Sequence, residues 1–265
     1  MIKTTNTPSF VDVTNLRHPI IERVKTDYEY IPNSIIFDEE KSGHILYGIN
    51  SSGKSSFMKS VGLCIIMAQS GMFVPAESMI YNPYKSVFTR IGSVDDIYKG
   101  HSTFVVEMLE MRNIFNTCTE NSLVIGDELC SGTESISAVS LVASGIIQLS
   151  KKKCSFIFAT HLHELSKLSE ITAISNVKIN HLNVSYDEVS NTIVYDRKIQ
   201  NGPGNTLYGL EVCKSLDLDS EFLKEANCIR QKILDIPKNI IENKHSVYNT
   251  NILVNDCGVC KRKAD

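Results

Sequence analysis

The stretch that decides the fold is HILYGINSSGKSS, residues 44–56. Its first part is apolar and has the length of a short buried strand. The rest has the spacing Gly-x-x-x-x-Gly-Lys-Ser, from Gly48 to Ser55. The glycines allow successive backbone N–H groups to converge on an anion, and Lys54 adds a positive charge. Apolar residues at helical spacing follow, from Ser56 to Gln69, and predict a helix whose N-terminus faces that anion. The stretch therefore predicts a strand–loop–helix unit that binds nucleotide phosphates.

This unit supplies most of the residues that we expect to contact a nucleotide. Lys54 is expected to bind the β- and γ-phosphates, and the Ser55 hydroxyl is a candidate Mg²⁺ ligand. The alternative is a glycine-rich turn without a ligand, and the strand–loop–helix context of the whole pattern argues against it. The predicted nucleotide-binding residues of this unit are Gly48, Ile49, Asn50, Ser51, Ser52, Gly53, Lys54, Ser55 and Ser56.

Two adjacent carboxylates end a second apolar run of strand length, SLVIGDE, which begins at Ser122. In phosphoryl-transfer sites such a strand places one carboxylate on Mg²⁺, and a neighbouring group orients the attacking water. We therefore predict Asp127 as a Mg²⁺ ligand and Glu128 as the general base. The alternative is a helix cap, because Asp, Ser and Thr side chains often accept hydrogen bonds from free N–H groups at a helix start.

A third strand is predicted from Ser155 to Ala159, and Thr160 and His161 follow at its C-terminal end. Open α/β sheets bind ligands at the carboxyl ends of their strands. We therefore predict that His161 contacts the γ-phosphate or orients the attacking water. The alternative is a hydrogen-bonded loop histidine without a catalytic role.

Composition limits the class of protein. The chain has 265 residues, of which 42% are hydrophobic and 22% charged, and this allows one substantial core. A net charge of −3 argues against strong nucleic-acid binding by this chain alone. No apolar run is long enough to span a membrane, and the start lacks a secretory signal. The cysteines lie mostly singly in apolar stretches, which predicts reduced core residues in an intracellular protein: Cys64, Cys118, Cys154 and Cys213.

The remaining patterns complete an α/β P-loop domain. The predicted elements are a β-rich entry over 10–47 with turns at Asn33 and Ser42-Gly43, helices over 103–115 and 136–149, a hairpin of strands 184–187 and 192–196, a loop at 202–204, and helices over 209–216 and 219–234 with Asp219 as N-cap.

These motifs resemble, in order, the C-terminal ATPase domain of MutS-family mismatch-repair proteins, which belong to the ABC ATPase superfamily. The resemblance covers roughly residues 12 to 234, and GHSTFVVEMLE, residues 100–110, is its most specific segment. The other segments that carry it are RHPIIERV, GINSSGKSS, SLVIGDELCSGTES, FATHLHEL and YGLEV. The family implies an ABC-type P-loop fold, with a mixed or parallel sheet flanked by helices and a C-terminal helix-turn-helix.

The resemblance also implies roles and partners. It directs Ser102 in trans to the γ-phosphate held by the neighbouring subunit, with capping of its own helix as the alternative, and it places Tyr30 on the adenine. It implies ATP and Mg²⁺ as ligands and a homodimer formed through the ATPase face and the helix-turn-helix. Mismatched DNA would bind regions that are not in this chain, and no membrane partner is implied. We divide the chain into an ATPase domain (1–204), a dimerisation element (205–234) and a linker or tail (235–265).

Two departures from the family pattern are notable. Ser131 stands where the loop after the acid pair usually has arginine, and Ser51-Ser52 stand where the phosphate loop often has Met-Gly. They suggest a divergent branch that carries a C-terminal HNH nuclease, known from large DNA viruses and octocoral mitochondria. Cys257 and Cys260 resemble the first half of a zinc site in such a module, but zinc needs four ligands, so a truncated half-site is the most that they predict. Two incidental cysteines in a polar tail are the alternative.

We predict an ATP-binding and ATP-hydrolysing domain of a MutS-like protein that couples the ATP cycle of a dimer to recognition of mismatched DNA. Its expected compartment is the host cytoplasm or virus factory, or the mitochondrion. The second hypothesis is a nucleotide-dependent interaction or clamp module of another ABC-type DNA-maintenance protein, with little hydrolysis. The full set of phosphate, metal and base residues favours hydrolysis.

Overall fold

The structure is a computed structural model that describes residues 8–24, 29–92, 103–187, 192–204 and 209–235. These residues form two compact units, one reaching residue 204 and the other beginning at Gly209. In chain order the elements are β1 (Phe10–Leu16), α1 (Ile21–Val24), β2 (Asn33–Phe37), β3 (Gly43–Tyr47), α2 (Lys54–Gln69), β4 (Ser78–Asn82), β5 (Ser86–Arg90), α3 (Thr103–Thr117), β6 (Ser122–Asp127), α4 (Ser135–Lys151), β7 (Ser155–Thr160), a 3₁₀ helix (His163–Lys167), α5 (Ser169–Thr172), β8 (Val177–Asp187), β9 (Thr192–Asn201), α6 (Gly209–Ser215) and α7 (Ser220–Asp235).

The first unit is built on a six-stranded sheet with the order β5-β6-β7-β3-β8-β9. Its first five strands are parallel, and β9 is antiparallel to β8. A separate antiparallel sheet has the order β2-β1-β4. The mixed sheet flanked by helices agrees with the α/β P-loop class predicted from the sequence.

Successive residues of the central strands point to opposite faces of the large sheet. Phe156 and Phe158 of β7 join one buried cluster with residues of α3 and α4. Ile157 and Ala159 join a second cluster with residues of α2 and the small sheet. Both faces are thus covered, which explains why the central strands are continuously apolar. Such burial fixes the strand ends on which the site is built.

Helix boundaries agree with the predicted helices. Helix α2 includes the predicted range 56–69, α3 includes 103–115, and α4 includes 136–149. The N-cap of α4 is Glu134, whose carboxylate accepts a hydrogen bond from the N–H of Ser137 at 2.9 Å. Asp127 and Glu128 therefore do not cap α4, and the helix-cap interpretation of the acid pair is wrong.

The predicted turns of the entry region are wrong. Asn33 begins β2, and its side chain bonds β9, donating to Arg197 O and accepting from Ile199 N, each at 2.8 Å. These two bonds satisfy the side-chain amide of Asn33, a residue that the sequence analysis places in a turn. The turn before β3 lies earlier than Ser42-Gly43, because Asp38 Oδ1 accepts hydrogen bonds from the N–H groups of residues 40 and 41.

The predicted hairpin is confirmed but longer than expected, since β8 and β9 pair from Asn180–Asn201 to Asp187–Thr192. The predicted turn at residues 190–191 lies outside the described residues. The six cysteines in the described ranges are free thiols. Cys64, Cys118 and Cys154 are buried as predicted, whereas Cys213 is partly exposed on the short helix α6 and is not a core residue.

The second unit consists of α6 and α7. Arg230 of α7 forms an ion pair with Glu211 of α6 at 3.3 Å. Asp219 is the predicted N-cap of α7, and its Oδ1 accepts from the N–H groups of Glu221 and Phe222 at 2.9 and 3.0 Å. In the described part of the chain, no helix is long and apolar enough to cross a membrane.

Candidate nucleotide-binding site

Three strand ends meet at one edge of the large sheet. Strand β7 lies between β6 and β3, and all three run parallel. Tyr47 at the end of β3 is in register with Thr160 of β7, and Asp127 at the end of β6 is in register with Ala159. The phosphate loop, the acid pair and His161 therefore leave the sheet side by side, as the sequence predicts.

The phosphate loop has the backbone that its glycines allow. Gly53 has φ 110° immediately before α2, and Gly48 has φ 156° at the end of β3. A Cβ atom on Gly48 would lie 2.7 Å from Ser52 Oγ, closer than Cβ atoms approach other atoms in folded proteins. Ser51 has φ 66° although it is not glycine. The loop is thus tightly wound, and this conformation brings backbone N–H groups together at the start of α2.

Lys54 lies inside the loop that precedes it. Its side chain is 4% exposed, and Nζ donates to Gly48 O at 2.6 Å and Ile49 O at 3.2 Å. Nζ also lies 3.9 Å from Glu128 Oε1. Burial lowers the pKa of Lys54, while the carboxylates of Glu128 and Asp127 act in the opposite direction. The site therefore holds a desolvated cation whose hydrogen bonds are made to backbone carbonyl groups.

Glu128 and His161 form a hydrogen-bonded pair. Nε2 of His161 lies 2.7 Å from Glu128 Oε1, 2.9 Å from Asn50 Oδ1 and 3.3 Å from Lys54 Nζ. Two of these neighbours are acceptor oxygens, so in the tautomer with an Nε2–H this group donates to Glu128. The third contact is then a close approach of two N–H groups. His161 thus orients the carboxylate that is the predicted base.

Asp127 has the property expected of a metal ligand. Its Oδ1 is buried and has no hydrogen-bond partner among the described residues. A buried polar atom without a partner costs about 1–3 kcal/mol, so such an atom calls for an explanation. Carboxylate oxygen is a preferred ligand of Mg²⁺, and Ser55 lies on the first turn of α2, after the neighbouring loop. These residues fit a Mg²⁺ ion that also binds substrate phosphates.

The turn after the acid pair is the part of the site that sequence reasoning missed. Glu128 and Cys130 both have left-handed backbone conformations, with φ 52° and 62°. Non-glycine residues in such conformations each cost on the order of 1 kcal/mol. Glu107 of α3 accepts a hydrogen bond from the N–H of Cys130 at 2.7 Å. No sequence pattern marks this bond, because the two residues are 23 positions apart.

A cavity of about 200 Å³ adjoins the acid pair. Arg90 lines it, forms an ion pair with Glu110 Oε2 at 3.1 Å and donates to Gly92 O at 2.6 Å. Ser131 also lines this cavity, at the position where the family resemblance leads us to expect arginine. The lining residues are Arg90, Gly92, Glu107, Asp127, Glu128, Ser131 and Gly132.

Tyr30 lies beside the phosphate loop, in a second cavity of about 80 Å³. Burial raises the pKa of Tyr30 above its ordinary value, and a hydrogen bond with Ser60 of α2 offsets part of this rise. The cavity combines an aromatic ring and aliphatic side chains with the start of α2, which suits a flat base next to phosphates. Its lining includes Ile21, Tyr30, Ile31, Ser52, Gly53, Ser56, Leu182 and Arg197.

A family model described as MutS domain V matches residues 44–234, which include the phosphate loop, the acid pair and His161. The chain belongs to the MutS family. It is 36% identical over 290 aligned residues to a mutS homologue of Acanthamoeba polyphaga mimivirus named for DNA mismatch repair, covering 96% of this chain and 26% of that protein. It is 35% identical over 268 residues to the mitochondrial DNA mismatch repair protein mutS homologue of Sarcophyton glaucum, covering 100% of this chain and 27% of that protein.

Bacterial MutS proteins match a smaller share of this chain. The DNA mismatch repair protein MutS of Streptococcus mutans is 38% identical over 239 residues, covering 87% of this chain and 27% of its own length. This MutS-family chain thus spans about a quarter of the length of the curated relatives that it matches. The viral and octocoral relatives agree with the branch that the sequence suggested.

Three predicted site residues lie outside the described residues: Ser102, Cys257 and Cys260. Their roles stay predictions. Within the described ranges, no group of three or more His, Cys, Asp or Glu side chains is arranged to hold a metal ion.

Proposed function

We propose that this MutS-family chain binds ATP with Mg²⁺ and hydrolyses it to ADP and phosphate. The observation that carries the proposal is the contact of Glu128 Oε1 with His161 Nε2 at 2.7 Å, made 3.9 Å from the amine of Lys54. A carboxylate, a histidine and a buried lysine at the mouth of a phosphate loop are the groups that hydrolysis of a γ-phosphate needs.

The residues divide the chemical work between them. Lys54 stabilises the negative charge of the β- and γ-phosphates. Glu128 accepts the proton of the attacking water, and His161 keeps the Glu128 carboxylate pointed at the mouth of the loop. Asp127 and Ser55 would hold Mg²⁺, which neutralises phosphate charge when bound. Tyr30 would stack on the adenine, so the whole nucleotide lies along the edge of the large sheet.

We further propose that this chain forms part of a dimer that acts on mismatched DNA. The described part of α7 exposes Phe222, Ile229 and Ile233, which are 52%, 54% and 63% exposed. Their spacings of seven and four residues place them on one face of the helix. An apolar face of this kind supports the role of α6 and α7 as a helix-turn-helix element that holds a partner subunit. Coupling of its ATP cycle to mismatch recognition would need the three quarters of the relatives' length that this chain does not cover.

The test compares two lysines of α2 in the 265-residue chain. Lys54→Ala removes the buried amine from the loop, whereas Lys59→Ala removes an exposed one. We expect Lys54→Ala to abolish ATP binding in titration calorimetry and Mg²⁺-dependent phosphate release, while Lys59→Ala keeps both. Near-normal ATP affinity in Lys54→Ala would contradict nucleotide binding by this loop. If the parental chain bound ATP without releasing phosphate, even as a tethered dimer, it would be a nucleotide-dependent interaction module instead.

A further inference from the structure

The hydrogen bond from Cys130 to Glu107 is an unusual contact in the core of the first unit. The donor is a backbone N–H in the turn after the acid pair, and the acceptor is a side chain from the second turn of α3. Both residues are buried, with 5% exposure for Glu107 and 3% for Cys130. A carboxylate placed this deeply needs a reason, because a leucine or methionine would fill the space without desolvating a charge.

The turn that Glu107 holds is poorly secured by its own backbone. Its internal hydrogen bonds are long, at 3.3 Å from Ser131 N to Glu128 O and 3.4 Å from Thr133 N to Cys130 O. Two shorter bonds attach it to the rest of the unit. One joins Glu128 N to Ala159 O at 2.9 Å, and the other is the Glu107 bond at 2.7 Å. Since Glu128 and Cys130 are both left-handed, loss of either anchor leaves the turn free to relax.

The charge around Glu107 explains why an acid can remain there. Burial raises the pKa of Glu107, whereas the Cys130 N–H and the guanidinium of Arg90 lower it. Arg90 is 8% exposed. It lines a cavity together with Glu107, and the acid pair lines the same cavity. The Glu107 oxygen that forms the bond is directed to Cys130. The contact of Glu107 with the turn is thus made to the backbone of Cys130, two residues after Glu128.

We propose that Glu107 is a positioning residue for hydrolysis: its carboxylate clamps Cys130 so that the turn presents Glu128 to His161. The inference rests on the proposed ATP hydrolysis by Glu128 and names a further residue on which that step depends. Glu107 also links α3 to the base. Helix α3 begins directly after Ser102, the residue that the family resemblance directs to the partner's nucleotide. A movement of α3 would therefore be transmitted to Glu128 through this bond and through the packing of α3 on the turn.

A clamp and a simple core contact predict different kinetics. If Glu107 only stabilised the unit, Glu107→Ala would lower the melting temperature and leave kcat of the folded protein unchanged. If it positions Glu128, the same change lowers kcat while ATP affinity is preserved, because the short hydrogen bonds that hold Lys54 are made to Gly48 O and Ile49 O of the phosphate loop. In Glu107→Gln, an amide oxygen replaces the carboxylate oxygen and can accept the same hydrogen bond from Cys130 N–H. This variant should therefore retain most of the activity.

The experiment uses the 265-residue chain, tethered as a dimer, with Glu107→Ala, Glu107→Gln and Glu110→Gln. Glu110 is the matched control, because it lies on the same helix and pairs with Arg90 but does not contact Cys130. Steady-state phosphate release gives kcat, calorimetry gives ATP affinity, and hydrogen exchange of the Cys130 amide reports the clamp without any need for activity. All are measured well below the melting temperature of each variant.

We expect Glu107→Ala to lower kcat by on the order of tenfold to a hundredfold, with ATP affinity within about threefold of the parent and faster exchange at Cys130. Glu107→Gln and Glu110→Gln should stay within about threefold of the parental kcat. Parental kcat in Glu107→Ala, with exchange at Cys130 accelerated, would overturn the proposal. So would unchanged exchange at Cys130, even if the parental chain proved inactive. A parental chain that does not hydrolyse ATP would count against the proposed function instead.

Discussion

The backbone N–H of Glu128 donates to the carbonyl oxygen of Ala159 at 2.9 Å, one residue beyond the end of β6. This bond continues the pairing of β6 with β7, in which Asp127 is in register with Ala159. The sheet thus fixes the strand end that carries Glu128 beside the strand end that carries His161. In the proposed hydrolysis, a base and a histidine that the sheet holds in place need little rearrangement at the moment of reaction.

Glu128→Gln should separate binding from chemistry. The amide keeps the shape of the side chain but cannot accept the proton of water, so turnover should fall by on the order of a hundredfold or more. ATP should still bind with Mg²⁺, since Lys54 and Asp127 are unchanged. Single-turnover phosphate release and calorimetry measure the two quantities. Parental turnover in this variant would mean that Glu128 is not the base.

Asp127→Asn should affect the thermal stability of the free chain and its response to Mg²⁺ in different ways. The buried Oδ1 has no partner among the described residues, so an uncharged amide should preserve or raise the melting temperature of the free chain. The same change should remove the additional stabilisation by ATP that Mg²⁺ provides, because a metal ligand is lost. Thermal unfolding with ATP, with and without Mg²⁺, tests both effects. Asp12→Asn, an exposed aspartate of β1, is the control and should keep the Mg²⁺ effect.

Complementation between two chains should reveal a shared site. Ser102→Ala and Lys54→Ala are each expected to inactivate a homodimer, but a mixed dimer keeps one site with both residues intact. A tethered heterodimer should recover up to about half of the parental activity if the two sites act independently. The tethered parental dimer is the positive control. Absence of recovery would remove Ser102 from the trans role and favour capping of its own helix.

Glu107 should make stability depend on pH in a recognisable direction. Burial raises its pKa in the folded chain, so the folded state binds this proton more tightly than the unfolded state does. The resulting stability is fully present below the ordinary glutamate pKa and is lost as the pH rises through the folded value. Glu107→Gln does not titrate, so its melting temperature relative to the parent should rise between pH 4 and pH 7. Glu120→Gln, which removes an exposed carboxylate that does not shift the pKa of Glu107, separates this effect from a change in net charge. A falling difference for Glu107→Gln would contradict it.

Local patterns predict the strand ends of this fold and the residues on them. The glycine spacing around Lys54 and the acid pair after SLVIG depend on a few neighbouring residues, so their structural context can be inferred directly from the sequence. The predicted turn at Asn33 is wrong because the side-chain amide of Asn33 bonds backbone groups of β9, more than 160 residues later in the chain. The clamp of Cys130 by Glu107 is missed for the same reason: a bond between distant segments leaves no periodic or spaced pattern.

Lys54 occupies, in the free chain, the hydrogen-bond acceptors of its own loop. Its ammonium group donates two of its three N–H groups to the carbonyl oxygens of Gly48 and Ile49, and the third remains for a phosphate oxygen. The long side chain is thus already ordered by the loop, so binding of a phosphate costs it little rotamer entropy. The backbone of the loop therefore pre-organises the cation that a nucleotide would meet.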